Sequence, residues 1–111
     1  MIEQVKVIEL SGVFGAAQSQ EFKEKIDEIL EKESRVKIVL IDFKEITFMD
    51  SSGLGALVLA FKALQSVEIN LVICSINEQV RMLFELTSMD KVFEIYPDQE
   101  EFNKTAVSRI H

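Results

Sequence analysis

The chain has 111 residues, 48% of them hydrophobic, which is enough for one domain with a substantial core. Nineteen Asp and Glu residues against twelve Lys and Arg residues give a formal net charge of −7 at pH 7. Such an acidic surface repels nucleic acid and anionic membranes and argues against direct binding to either. The N-terminus shows no signal-peptide pattern, no apolar run is long enough to span a bilayer, and the single cysteine suits a reducing compartment. We therefore expect a cytoplasmic protein with a single domain over residues 1–111.

The apolar residues recur with strand-like and helix-like periods in alternation along the chain. The predicted strands cover residues 4–10, 36–41, 69–74 and 92–96. The predicted helices cover residues 16–32 and 52–66, a segment that begins in the capping-box sequence at 75–78, and a last segment that begins near Asp98. Strands that alternate with helices favour parallel pairing through crossover connections. The sequence thus predicts a small α/β sandwich, with a mixed, mostly parallel sheet of about four strands and helices packed on it.

Two connections precede helices in this scheme. Residues 11–15 read as a turn, because they contain two glycines and a serine. Residues 42–50 read as a longer connection that leads from the second strand to the second helix. In parallel sheets, functional residues gather where the chain leaves the carboxyl ends of the strands. We therefore expect the segment around residue 50 to lie at the functional end of the domain.

The most informative run is residues 50–55, with the sequence DSSGLG. A carboxylate, two hydroxyls and two glycines stand where the second helix should begin. The N-terminus of a helix exposes unpaired N–H groups and a partial positive charge, so a phosphate placed there is stabilised. The same residues could also do no more than cap the helix and allow close packing, a reading that the motif by itself favours.

Other chemistries fit this run poorly. The sequence from Gly53 begins like the dinucleotide-binding pattern GxGxxG but ends in Val58, the connection before it is too long for a tight turn, and no P-loop occurs. A serine nucleophile requires a base, and the only histidine is the last residue, His111. One histidine and one cysteine, Cys74, provide no zinc ligand set, and we expect this thiol to be buried and structural. The sequence therefore predicts no catalytic residue, no metal and no cofactor.

Residues 39–55, VLIDFKEITFMDSSGLG, closely resemble the signature of the STAS family, as found in bacterial anti-sigma factor antagonists. The resemblance continues through residues 72–84, VICSINEQVRMLF, and the strand near 93–96, so that it covers nearly the whole chain. It implies that the protein is not an enzyme but a kinase substrate. In this family, an anti-sigma factor serine kinase phosphorylates the first serine after the aspartate, which is Ser51 here. The unphosphorylated antagonist binds the anti-sigma factor and frees the sigma factor, and a metal-dependent serine phosphatase resets the cycle.

The resemblance and the position of the motif together predict a docking surface for the partner at one end of the sheet. It would combine the exposed side of the second helix with the loop at residues 15–18. The residues that we expect to contact the partner are Phe48, Met49, Asp50, Ser51, Ser52, Gly53, Gly15 and Gln18.

Two departures from the family bear on the partners. Relatives often carry an acidic residue, which helps at the kinase interface, at the position of Gly15. Many relatives also have an extra strand before the strand predicted at residues 4–10, so one edge of the sheet would be open here and could pair with a second copy. Two other classes of function stay open. One is a STAS adaptor that is not phosphorylated, for instance one associated with a transporter, and the other is a small enzyme or nucleotide-binding module.

Overall fold

The structure, a computed structural model, describes residues 4–32 and 35–110, with side chains up to residue 105. Four strands alternate with four α-helices in this part of the chain. The strands are β1 (Val5–Phe14), β2 (Ile38–Met49), β3 (Asn70–Cys74) and β4 (Glu94–Tyr96). The helices are α1 (Ala16–Lys32), α2 (Ser51–Gln65), α3 (Glu78–Leu86) and α4 (Gln99–Ile110), and a short 3-10 helix at Met89–Lys91 precedes β4.

The four strands form one sheet in the order β1-β2-β3-β4, and every neighbouring pair is parallel. The predicted α/β sandwich with four strands and packed helices is confirmed. Among the described strands the sheet is wholly parallel, not mixed, because a helix after each of the first three strands carries the chain back to the same end. The carboxyl ends of all four strands therefore lie at the same end of the sheet. The outer strands of the sheet are β1 and β4.

Hydrophobic cores lie on both faces of the sheet. The larger core joins α1, α2 and α3 to one face, and it contains a series of phenylalanine rings in edge-on or tilted contact. The smaller core lies on the other face, where Phe102 of α4 packs against Ile38, Leu40, Val72 and Cys74. Because both faces of the central strands are covered, residues 38–43 of β2 form a continuous buried run that includes one polar residue, Asp42.

The first two strands are longer than the sequence predicted. Residues 11–14, expected to be a turn, continue β1, and residues 42–49, expected to be a connection, continue β2. Pairing extends to Phe14 and Met49, with irregularities of register between Glu9 and Ser11 and between Gly12 and Val13. Gly12 has a φ of +74°, a conformation that glycine adopts without strain, so the glycine that suggested a turn belongs to an irregular strand.

Candidate functional site

The candidate site lies where β1 and β2 end and the helices after them begin. A single residue, Gly15, joins β1 to α1, and a single residue, Asp50, joins β2 to α2. The backbone N–H of Asp50 donates to the carbonyl of Phe14 at 3.3 Å, so the two turns lie side by side. The prediction of a long connection before the motif was wrong, and connection length is no argument against a dinucleotide site. The valine at position 58 still breaks that pattern.

Asp50 is the N-cap of α2. Its Oδ1 accepts hydrogen bonds from the backbone N–H groups of Ser52, at 2.9 Å, and Gly53, at 3.1 Å. The helix therefore begins at Ser51, one residue earlier than predicted, and Ser51 is its first residue. Two of the N–H groups that could have held a phosphate are already paired with a carboxylate. A phosphate on Ser51 would consequently add charge beside Asp50 without finding these two donors free.

Two glycines allow the close approach of the turns. A Cβ added to Gly53 would lie 2.1 Å from the carbonyl oxygen of Phe14, a backbone atom that cannot give way easily. A Cβ added to Gly15 would lie 2.8 Å from Oδ2 of Asp50. Glycine at position 15 therefore leaves the Asp50 carboxylate uncrowded on this side. An acidic residue there would place a second carboxylate close to the first.

The predicted contact residues divide into three groups by exposure. Ser51, Ser52 and Phe48 are exposed, and Asp50 and Gln18 are half-buried. Met49, Gly53 and Gly15 are buried, and contact between these residues and a partner stays a prediction. Met49 belongs to the larger core, and both glycines are covered where the turns pack together. These three residues lie beneath the exposed residues and determine the shape of the site.

Gln18 and Ser19 connect the start of α1 to its surroundings. The side-chain amide of Gln18 donates to the carbonyl of Ser11 in β1. The hydroxyl of Ser19 lies 2.7 Å from the carbonyl oxygen of Gly15 and 3.3 Å from that of Ser52, so it joins the first turns of α1 and α2. The expected loop at residues 15–18 is therefore largely the first turn of α1.

The side chains of Gln79 in α3 and of Asn77, just before that helix, support the end of β2, and neither was among the predicted site residues. Because β3 ends opposite Asp42, the last residues of β2 have no strand partner on that side among the described residues. The amide of Gln79 both donates to and accepts from the backbone of Met49, and the amide nitrogen of Asn77 donates to the carbonyl of Ile46 at 3.1 Å. Asn77 is also the N-cap of α3, and it lies within the capping-box sequence at 75–78 where this helix was predicted to begin. Asn77 carried a recognisable capping signal, whereas a single glutamine carries none.

An apolar pair lies on the sheet face away from α1 and α2. Val13 and Phe48 are register partners in β1 and β2, and their exposed fractions are 53% and 46%. Phe48 was predicted to belong to the docking surface, whereas Val13 was assigned to a turn and was missed. The signal for Val13 was hidden because the sequence does not reveal that β1 continues past Gly12.

The buried carboxylate of Asp42 has a structural role. Asp42 accepts hydrogen bonds from the backbone of Lys44 at 2.9 Å and from the side chain of Gln99 at 2.7 Å, which ties the start of α4 to β2. Cys74 is buried, and burial raises the pKa of its thiol from 9.0 to about 11, as expected for an inert cysteine. In the described part of the chain, no cluster of three or more His, Cys, Asp or Glu side chains could hold a metal ion. His111 lies outside the described residues.

Comparison with known proteins identifies the family. The STAS domain model matches residues 1–102. The chain belongs to the STAS domain family. It is 33% identical, over 94 residues, to the anti-sigma-B factor antagonist of Listeria monocytogenes, a match that covers 85% of this chain and 81% of the relative. It is also 28% identical over 95 residues to the anti-sigma F factor antagonist of Paenibacillus polymyxa, with coverage of 86% and 80%. Both of these relatives are named as anti-sigma factor antagonists.

Solved structures show the same fold. The anti-sigma factor antagonist SpoIIAA, solved in its unphosphorylated form, superimposes with a TM-score of 0.72 and 21% identity over 99% of this chain and 92% of its own. The STAS domain of a SulP transporter from Vibrio cholerae superimposes with a TM-score of 0.79 and 22% identity over 96% and 84%. The fold therefore serves both antagonists and transporter domains. Among the described residues, we find no helix with the length and apolar character needed to cross a bilayer.

Proposed function

We propose that this STAS protein is an anti-sigma factor antagonist controlled by phosphorylation of Ser51. The unmodified protein binds an anti-sigma factor serine kinase in the cytoplasm and so frees the sigma factor. Phosphorylation by that kinase releases it, and a metal-dependent serine phosphatase restores the binding form. The named relatives support the role, and the observation that carries the assignment to Ser51 is its exposed hydroxyl at the first position of α2.

The structure suggests how the phosphate would act. A phosphoserine carries a charge of about −1.5 to −2 at pH 7. At position 51 this charge would stand beside the Asp50 carboxylate, which already accepts from the N–H groups of Ser52 and Gly53. The phosphate would therefore project toward the partner instead of being taken up by the helix. Repulsion and desolvation at the interface can then weaken the affinity about a hundredfold, since each factor of ten corresponds to about 1.4 kcal/mol.

The proposal also makes the protein a substrate and not a catalyst. A serine nucleophile requires a base within hydrogen-bonding distance, and Asp50 directs its Oδ1 at the helix N–H groups instead. Ser51 therefore depends on an external kinase for any phosphate that it receives.

The experiment that tests the proposal is incubation with the anti-sigma factor kinase of the same genome and ATP, followed by mass spectrometry. We expect one phosphate, on Ser51, and none in Ser51→Ala. Ser52→Ala, the matched control one residue further on, should still be phosphorylated. Phosphate found on Ser52 in the protein with Ser51 intact would contradict the assignment.

The similarity to a transporter STAS domain favours a second candidate, an adaptor that is not phosphorylated. The two candidates differ in one measurement, which is binding to the anti-sigma factor before and after treatment with ATP. An antagonist loses affinity when phosphate is added, and Ser51→Ala keeps it. An adaptor neither binds the anti-sigma factor nor takes up phosphate.

A further inference from the structure

The outer face of α2 is unusually apolar for a helix at the surface. Only one of its fifteen residues, Lys62, is charged, whereas eight of the seventeen residues of the neighbouring α1 are charged. Leu59 points outward, with an exposed fraction of 67% for the residue. A helix that is apolar on all sides is ordinarily covered on all sides. In a protein with a net charge of −7, such an exposed apolar face on α2 therefore indicates a surface that a partner covers.

A groove between α1 and α2 lies along this face. Its volume is 640 Å³, and small side chains make most of its lining, including Ala16, Ala56, Ala60 and Ala63. Leu59 forms part of its wall. A Cβ at Gly55 would meet no atom within 4 Å apart from its chain neighbours and the backbone of its own helix, so the groove is open there. A space of this volume can hold several apolar side chains, and their packing would bury Leu59 at the same time.

The charges indicate what kind of segment the groove accepts. Its two charged lining residues, Lys23 and Asp27, form an ion pair with each other at 2.9 Å. The lining is therefore electrically balanced, although the protein as a whole is strongly acidic. A charged segment would gain no counter-charge here and would lose hydration. An uncharged, apolar segment matches both the lining and the balance of charge.

The position of the groove connects it to the switch residue. Ser52 forms one end of the lining together with Ser19, whose hydroxyl lies 3.3 Å from the carbonyl oxygen of Ser52. Ser51 is the adjacent residue, and its exposed side chain lies at the start of the same helix. A phosphate on Ser51 would add an uncompensated double charge at the end of a balanced apolar groove.

We infer that this groove is the docking site for an uncharged, apolar segment of the anti-sigma factor. The inference rests on the proposed function and extends it, because it assigns partner contacts to Leu59 and Gly55. It also places the main contact on the α1–α2 side of Ser51 and not on the sheet face that carries Val13 and Phe48.

The test measures affinity for the purified anti-sigma factor of the same genome, by calorimetry, for variants that alter the groove without entering the core. We expect Leu59→Lys to weaken binding at least tenfold, because it places a charge on the groove wall. Gly55→Trp should do the same by filling the open end. Gln65→Lys is the matched control, because it adds the same charge to an exposed position of α2 outside the groove, and it should change affinity less than twofold. Melting temperatures establish that each variant is folded.

The possible results distinguish a failure of docking at the groove from a failure of the proposed antagonist function. If both groove variants bind like the unaltered protein while phosphorylation still releases the partner, the inference is overturned and the proposed function stands. If Phe48→Ala weakens binding tenfold and the groove variants do not, the sheet face is the docking site. If the unaltered protein does not bind the anti-sigma factor with or without phosphate, the proposed function fails and the inference with it.

Discussion

The side-chain amide of Gln79 pairs with the backbone of Met49 through two hydrogen bonds, of 2.8 Å from the Met49 N–H and 2.9 Å to its carbonyl. This is the pattern by which a neighbouring strand would bind. Since β3 ends opposite Asp42, a side chain from α3 takes the place of a missing strand next to the turn at Asp50. The geometry of the Ser51 site therefore depends on a helix that does not itself reach the site.

Gln79→Ala tests this dependence. The change leaves a backbone N–H and a backbone carbonyl of Met49 without their partner, which costs about 1–3 kcal/mol if water does not replace it. We expect urea unfolding to show a loss of this size and the kinase to phosphorylate Ser51 more slowly. Glu85→Ala, at an exposed position of the same helix, is the control and should change both quantities little. Equal stability of the two variants would mean that the Gln79 pairing does not support the site.

Gly53 and Gly55 form a matched pair within one turn of α2. Gly53→Ala should destabilise the protein by several kcal/mol, or prevent folding, because the new Cβ would lie 2.1 Å from the Phe14 carbonyl oxygen. Gly55→Ala should stabilise it by about 0.5–1 kcal/mol, because the position is open and alanine favours a helix. Thermal unfolding measures both changes, and a stabilising effect of Gly53→Ala would contradict the packing of α2 against β1.

The N-cap of α2 can be tested with two substitutions of Asp50. Asp50→Ala removes the acceptor for the N–H groups of Ser52 and Gly53 and should cost about 1 kcal/mol in urea unfolding. Asp50→Asn keeps an acceptor oxygen and should cost only a few tenths of that amount. If the two variants lose the same stability, the carboxylate contributes through its charge and not through the cap.

The buried thiol of Cys74 predicts a dependence of stability on pH. Burial raises its pKa from 9.0 to about 11, so in this range the unfolded chain releases a proton that the folded chain keeps. The free energy of unfolding should therefore be unaffected by this group below pH 9 and fall as the pH rises from 9 to 11, by on the order of 1–3 kcal/mol. Cys74→Ala, compared at each pH, should lack this component of the decline. The same slope in both proteins would assign it to other groups.

The alternation of strands and helices was predictable because apolar spacing records burial directly. Helix α1 was predicted at its observed bounds, and the continuous apolar run in β2 indicated a strand covered on both faces. The extensions of β1 and β2 could not be predicted from the sequence. Glycine at position 12 and polar residues such as Lys44 are typical of turns, and only the pairing between the two strands shows that they belong to strands. The length of β1 and of β2 is therefore determined by their pairing with each other.

At the site, the sequence identified the exposed serines and the capping aspartate, since hydroxyl and carboxylate side chains at a helix start carry a local signal. It could not separate the buried Met49 from the exposed Phe48, because that difference depends on an irregular register with β1. The roles of Gln79 and Ser19 were equally hidden, because each arises from a contact between elements that are distant in the chain.

The sheet order β1-β2-β3-β4 follows the order of synthesis, and every connection is a crossover without a hairpin. No strand can pair until a whole helix and the strand after it have left the ribosome, but each strand then finds its neighbour already outside. The turn that carries Ser51 would be bordered by β1 and α1 as soon as α2 emerges, yet Gln79 arrives only with α3. Ser51, the proposed phosphorylation site, would thus be present on an incomplete domain for a short time before its support is in place. A kinase that recognises the completed surface would discriminate against such nascent chains.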